Sequence, residues 1–157
     1  MAHITIRFIQ DRGLLSSVIA WVTASLFSHV ELGTPEGTWI GAHSPDGIQE
    51  RPLFYCYPVR EYVYELPCTQ QQSDDLLQYA RAAIGTPYNY RDIAGLLFHA
   101  RTLTSPSRAI CSEFVIKTLM RVGIRPLNVL EDFSYLITPE TLHLSPMLIG
   151  KMVKKVG

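Results

Sequence analysis

Two turn signatures in quick succession constrain this chain more than any other feature. Thr34-Pro35-Glu36-Gly37 and Ser44-Pro45-Asp46-Gly47 each set Pro before an acidic residue and Gly. Pro fixes φ, the acidic side chain can bond nearby backbone, and Gly reaches positive φ, so each tetrapeptide has a mechanical reason to turn. The segments they separate, 29–32, 38–43 and 48–53, then read as the strands of a β-meander. Residues 60–66 alternate through Tyr62, Tyr64 and Leu66, and residues 3–9 alternate ahead of a Gln10-Asp11-Arg12-Gly13 turn. Strands this close in sequence predict an antiparallel sheet.

Helical periodicity surrounds the meander. Residues 14–27 place Leu15, Ile19, Val22 and Leu26 on one face, widened by Leu14, Val18 and Trp21, which predicts a mostly buried helix. A second helix is expected with Ser73 as its N-cap, Asp74 and Asp75 in its first turn, and a stripe of Leu76, Leu77, Ala80, Ala83 and Ile84 ended by Gly85 and Pro87. A looser helix is expected over 91–100, and another over 108–122, closed by Gly123. On that last helix Glu113, Lys117 and Arg121 step by four along a predicted solvated side. Cys111 shares the inward face with Phe114, Val115, Thr118 and Val122. From Thr138 onward, Pro139 and Pro146 suggest loop with short helical pieces.

Bulk composition narrows the class. A chain of 157 residues, 47% hydrophobic and 18% charged, fits a single globular domain spanning 1–157. Fourteen basic and fourteen acidic residues cancel, which argues against capture of nucleic acid or of an anionic membrane surface. The N-terminus lacks the features of a signal peptide, so a cytoplasmic location is expected, with a phage-encoded or lysis-released protein as the variant. Leu14 to Phe27 is too short and too interrupted by Ser and Thr to span a bilayer, so no integral membrane segment is expected. Nothing in the sequence reports on oligomeric state. Cys56, Cys68 and Cys111 have no zinc-like spacing, and a Cys56–Cys68 disulfide is allowed but not demanded. His3, His99 and His143 are isolated and expected on the surface or at caps. No glycine loop for phosphate or dinucleotide occurs, so neither cofactor nor metal is expected.

The segment with chemical potential is Ala109-Ile110-Cys111-Ser112-Glu113-Phe114-Val115. A thiol becomes a nucleophile when its surroundings favour thiolate and a base moves its protons. The start of a helix supplies the first, through free N–H groups and the positive end of the dipole. His29, in the strand Ser28-His29-Val30-Glu31-Leu32, is the candidate base. Glu31 shares its strand face, and His43 ends the next strand; either is a candidate third residue to orient the imidazole. Parity alone does not choose between them, because a bulge near Gly37–Gly41 would turn His43 to the other face.

The Ser-His-Val strand, the hairpin, the Gly85-Thr86-Pro87-Tyr88-Asn89-Tyr90 segment and the helix opening Cys-Ser-Glu-Phe-Val together resemble the circularly permuted papain-like branch of the NlpC/P60 superfamily. That branch includes YiiX- and YebB-like proteins and, distantly, lecithin retinol acyltransferase relatives. His29 precedes Cys111 by 82 residues, the order of the permuted group. The resemblance implies an α+β, papain-like antiparallel sheet or half-barrel packed against helices, the nucleophile helix among them. It implies Cys111 as nucleophile, His29 as base, a polar third residue on the neighbouring strand, and Tyr88 and Tyr90 lining the cleft. By counting, the family's slot in that strand falls on Ala42, one residue before His43, which gives Glu31 weight.

Two functions follow as expectations. One is a cysteine hydrolase or acyltransferase acting on a peptide amide, murein-derived ones included, or on an acyl ester or thioester, so that its partner is a small peptide or a lipid-like substrate. The other is a catalytically silent module that keeps the fold and binds such a ligand.

Overall fold

The computed structural model describes residues 1–11, 26–87, 111–128, 134 and 137–156. The helices expected at 14–27 and 91–100, the first turn expected at 108–110, and Tyr88, Tyr90 and His99 fall outside the described residues, apart from Leu26 and Phe27. Leu26, expected on the inner face, is exposed, whereas Phe27 is fully buried.

Six strands form one antiparallel sheet: β1 (Ala2–Gln10), β2 (His29–Gly33), β3 (Thr38–His43), β4 (Gly47–Pro52), β5 (Arg60–Cys68) and β6 (Met152–Val156). Their order across the sheet is β4-β3-β2-β1-β5-β6. Both predicted turns are present, with Gly37 and Gly47 at φ of 79° and 85°. From β1 to β5 the registers join even-numbered residues to even, as in Ile6 to Leu32, Leu32 to Ile40, Ala42 to Ile48 and Ile6 to Tyr64. One face of the sheet is therefore apolar across five strands. Ile4, Ile6, Phe8, Val30, Leu32, Ile40, Ala42, Ile48, Tyr64 and Leu66 all belong to the buried core.

Helices cover that face. Helix α1 (Gln70–Ala82) contacts β1, and helix α2 (Cys111–Arg121) lies on β2 and β3 and against α1. Leu76 and Ala80 of α1 and Val115, Ile116 and Leu119 of α2 complete the core. The start of α1 differs from expectation. Thr69, not Ser73, is the N-cap, because Thr69 and Gln72 form a capping box in which each side chain accepts from the other's backbone N–H, both at 3.1 Å. Ser73 is a buried interior residue, and Ile84, placed on the inner stripe by its spacing, lies exposed beyond the helix end.

The tail holds α3 (Pro139–His143), a 3-10 turn (Pro146–Leu148) and β6, which the sequence did not suggest. Every residue of β6 is exposed, so a strand whose membership rests on backbone pairing alone leaves no alternation to read. His143, expected on the surface or at a cap, is partly buried in the last turn of α3. Its ring is wedged among Phe8, Phe27, Tyr62 and Tyr64, and the Tyr64 hydroxyl lies 3.1 Å from its Nδ1.

Strand β4 is the edge of the sheet, and the chain after α1 closes part of it: Ile48 N–H donates to Thr86 O, and Gly85 N–H to Ile48 O, both at 2.9 Å. Gly47 makes this approach possible, since a Cβ there would lie 2.1 Å from Thr86 O at a φ of 85°, whereas a Cβ on Gly37 would meet nothing within 4 Å. Urea denaturation should therefore separate the two glycines. Gly37→Ala should cost about 1 kcal/mol, the left-handed penalty alone, and Gly47→Ala about 3 kcal/mol or more, because clash is added. Equal costs would contradict the edge closure.

Candidate active site

The odd-numbered residues of the same strands carry a polar group that is itself out of water. Glu31 sits opposite Arg7 on β1. The β2–β3 register, carried on from Leu32 to Ile40, sets Gly41 level with Glu31 and His43 level with His29, whose rings are 4.6 Å apart. No bulge is needed. Strand β3 pairs without interruption from Thr38 to His43, Ala42 belongs to the core face, and His43 reaches the histidine face by parity alone.

Glu31 is the hub. Its side chain is 0% exposed, so its charge must be met by bonds rather than solvent. Arg7 Nη1 donates to Oε2 at 3.1 Å, and the Tyr55 hydroxyl donates to Oε1 at 2.5 Å. His29 Nε2 lies 3.2 Å from the same Oε1. His43 Nε2 lies 3.3 Å from it but off the bonding line, which leaves that nitrogen buried without a hydrogen bond. Burial opposes ionisation of Glu31, yet the bonds from His29 and Tyr55, the adjacent His43 ring and the His29 charge hold the carboxyl well below its ordinary range. Gly41 leaves room for this pairing: a Cβ there would stand 3.1 Å from Glu31 Cγ and 3.2 Å from His29 Nε2.

The histidines differ in charge. Burial by itself would lower the His29 pKa, but the Cys111 thiol and the Glu31 carboxylate outweigh it and push it up to about 10. Burial takes His43 below its ordinary value; the nearby Glu31 carboxylate opposes this, and the charges of His29 and Arg51 add to the lowering. The pair thus favours an imidazolium at 29 and a neutral ring at 43. Burial beside the carboxylate pushes the Tyr55 phenol far up, which keeps it a donor.

Cys111 is the first described residue of α2 and is buried. Its aligned thiol bond runs to the Ser28 carbonyl at 4.0 Å, one residue before His29, and the His29 ring is near enough to feel the sulfur. Ser112, whose hydroxyl donates to Ile137 O at 2.5 Å, pins the same part of α2. The structure therefore brings Cys111, His29, Glu31 and His43 together, with both histidines converging on one oxygen of Glu31. Cys56, Cys68 and Cys111 are all free thiols.

Sequence reasoning missed Arg7, Tyr55 and Gly41. Arg7 is buried between two carboxylates, donating to Glu61 Oε1 at 2.7 Å as well as to Glu31. Lys154 of β6 closes the chain on Glu61. Arg7 also stacks 4.9 Å over Trp39, and Tyr55 meets His43 edge-on at 5.4 Å. A lone Arg between Ile6 and Phe8 was the available signal for Arg7; a loop residue such as Tyr55 offers none.

His29, His43 and Glu31 also form a set in which one ligand atom from each lies within 4.8 Å of the other two. Two histidines and a carboxylate are zinc-type ligands, and a tetrahedral ion with bonds of about 2.0–2.1 Å spaces its ligands by roughly 3.3–3.4 Å. The separations of 3.2 and 3.3 Å to Oε1 agree with that, and the bondless His43 nitrogen is available. By identity and spacing the residues fit such an ion.

No protein-family model and no curated protein matches the chain. Among solved structures it is similar in fold to the crystal structure of metalloprotein yiiX from Escherichia coli O157:H7, DUF1105. The TM-score is 0.67 at 17% identity, covering 99% of this chain and 96% of that one. Among the described residues no helix is long and apolar enough to cross a membrane.

The Glu31 hub makes stability depend on pH in a definite direction. A carboxyl depressed from 4.5 stabilises the fold above that value and loses the contribution as pH falls. Glu31→Gln should cost about 3–5 kcal/mol at neutral pH, because Arg7 and His29 are left facing an uncharged amide. It should also flatten the decline in stability below pH 4.5, with Glu61, likewise depressed, retaining part of it. Urea unfolding across pH checks this; an unchanged acid decline in the variant would contradict it.

Proposed function

We propose that this chain is a cysteine-dependent hydrolase or acyltransferase with a circularly permuted papain-like fold, acting on a peptide amide or an acyl ester or thioester. The reading is supported by the buried Glu31 carboxylate, which holds His29 by Nε2, and by the Cys111 thiol, which bonds the Ser28 carbonyl one residue before His29 and raises the pKa of that ring. An imidazolium beside a sulfur is the arrangement that stabilises a thiolate nucleophile.

In the proposed reaction, the Cys111 proton resides on His29. Sulfur attacks the carbonyl carbon, and the carbonyl π pair moves to oxygen, where the backbone N–H of Cys111 would be one donor. Collapse of this intermediate breaks the bond to the leaving group, which takes the proton from His29. Water or another acceptor then loses a proton to His29 as it attacks the thioester, and the thiolate leaves. Glu31 compensates the charge that His29 carries in each half-reaction. His43 and Tyr55 position the carboxylate.

A second reading is favoured by the bondless His43 nitrogen and by the metalloprotein to which the fold is similar. His29, His43 and Glu31 would hold a zinc-type ion, which supplies Lewis-acid polarisation of a carbonyl. The two readings separate in one assay. Amide, ester and thioester substrates are offered to wild type and to Cys111→Ala, each with and without chelator. The thiol reading predicts turnover of at least one class, insensitive to chelator and reduced about 10²-fold or more in Cys111→Ala. Turnover that survives Cys111→Ala and disappears with chelator would transfer the function to the metal trio.

A further inference from the structure

Exposed apolar side chains gather in the stretch that runs from the end of α3 into β6. Leu144 and Ile149 are 68% and 76% exposed, and Met147, Met152 and Val153 are exposed as well. Leu144, Ile149 and Met152 wall a groove of about 300 Å³, with Leu148 buried at its floor and Tyr64 and His143 in its lining. Single exposed apolar residues are ordinary, whereas several around one groove mark a contact surface.

The same stretch is cationic. From Thr141 to Gly157 the sequence holds three lysines and no acidic residue, so the balance of charge over the whole chain conceals a local surplus. Lys154 sits opposite Val63 and is engaged by Glu61. Lys155 is directed to the other face of the sheet: Met152 pairs with Tyr64 and Lys155 with Tyr62, and its ammonium stands 5.1 Å over the Tyr62 ring. Lys155 is therefore on the groove side of β6. Neither Lys155 nor Lys151 forms an ion pair with a described residue.

A second copy seated on this patch about a two-fold axis would set the unpaired lysines near one another, with no carboxylate in the segment to offset them. A layer of phosphate headgroups over acyl chains complements the charge and the apolar walls together. We propose that the groove beside β6 docks the protein on an anionic lipid surface. Leu144, Ile149 and Met152 enter the boundary of the acyl chains, and Lys151 and Lys155 meet the phosphates. The neutral total argues only against capture from a distance; within a Debye length of about 8 Å the local surplus decides. The proposal does not rest on the function proposed above.

Co-sedimentation of the full chain with vesicles tests this, using phosphatidylcholine alone and phosphatidylcholine mixed equally with phosphatidylglycerol. The mixed vesicles should bind about tenfold more tightly or better, and should lose that advantage in high salt. Ile149→Ser, altered at an exposed side chain, should weaken binding about tenfold. Lys151→Gln and Lys155→Gln should each weaken it about fivefold, all with unchanged circular dichroism spectra. Phe54, 75% exposed, follows β4 at the opposite edge of the sheet, and Phe54→Ser should bind like the wild type. A loss there as large as in Ile149→Ser, no vesicle binding at all, or equal binding to both vesicles would overturn the proposal. A dimer in sedimentation velocity that Ile149→Ser dissociates, from a protein that ignores vesicles, would give the patch to a second copy and overturn it too. Retention on a polyglutamate resin without vesicle binding, lost when both lysines are replaced, would overturn it in favour of an acidic protein.

Discussion

Glu31 carries a negative charge where no water reaches it, and most of what is distinctive in the structure answers that fact. A carboxylate in this position is tolerable only with several donors. Arg7 from β1, Tyr55 from the segment after β4, and His29 from its own strand provide them. Arg7 in turn is buried and needs Glu61 of β5, which Lys154 of β6 engages at the sheet's far edge. One buried charge thereby links five of the six strands, since His43 of β3 also faces Glu31. The histidine states follow from the same source: the first histidine beside the carboxylate gains charge, and its neighbour is discouraged from doing so.

Register parity lets a buried polar network coexist with an apolar core. Because each pairing from β1 to β5 joins even residues to even, the core and the Glu31 network occupy opposite faces and do not compete. His29, as the first residue of β2, stands at the strand end, next to the Ser28 carbonyl that the Cys111 thiol meets. A one-residue slip between β2 and β3 would send His43 into the core and Ala42 toward the carboxylate. The turns at 34–37 and 44–47, with their glycines at positive φ, fix the lengths that prevent this.

The strands of the meander were legible because each end is marked by local chemistry, and local chemistry is what a sequence displays. Helix α1 was legible in type but not in its start, since the Thr69–Gln72 capping box outcompetes the acidic first turn offered after Ser73. Strand β6 carried no periodic signal because all of it is exposed. At the site, Cys111, His29, Glu31 and His43 could be named from spacing and chemistry. Their convergence could not, because it depends on register: counting along β3 pointed to Ala42, and only pairing shows that His43 faces His29. Arg7 and Tyr55 were missed because their partners are distant in sequence. Glu113, expected on the solvated side of α2, is only 6% exposed, because i to i+4 charge spacing looks the same on a solvated face and on a buried one.

The claim on which the rest turns is that Glu31 and Cys111 together hold His29 as an imidazolium. A histidine whose folded pKa is raised stabilises the fold fully below 6.5 and loses that contribution as pH rises through about 10. Nitrogen-15 NMR of the His29 ring across pH reads this state directly. Both ring nitrogens should remain protonated at pH 8, with deprotonation centred near 10. A ring that is already neutral at pH 7.5 would contradict the claim, and with it the charged site built around Glu31.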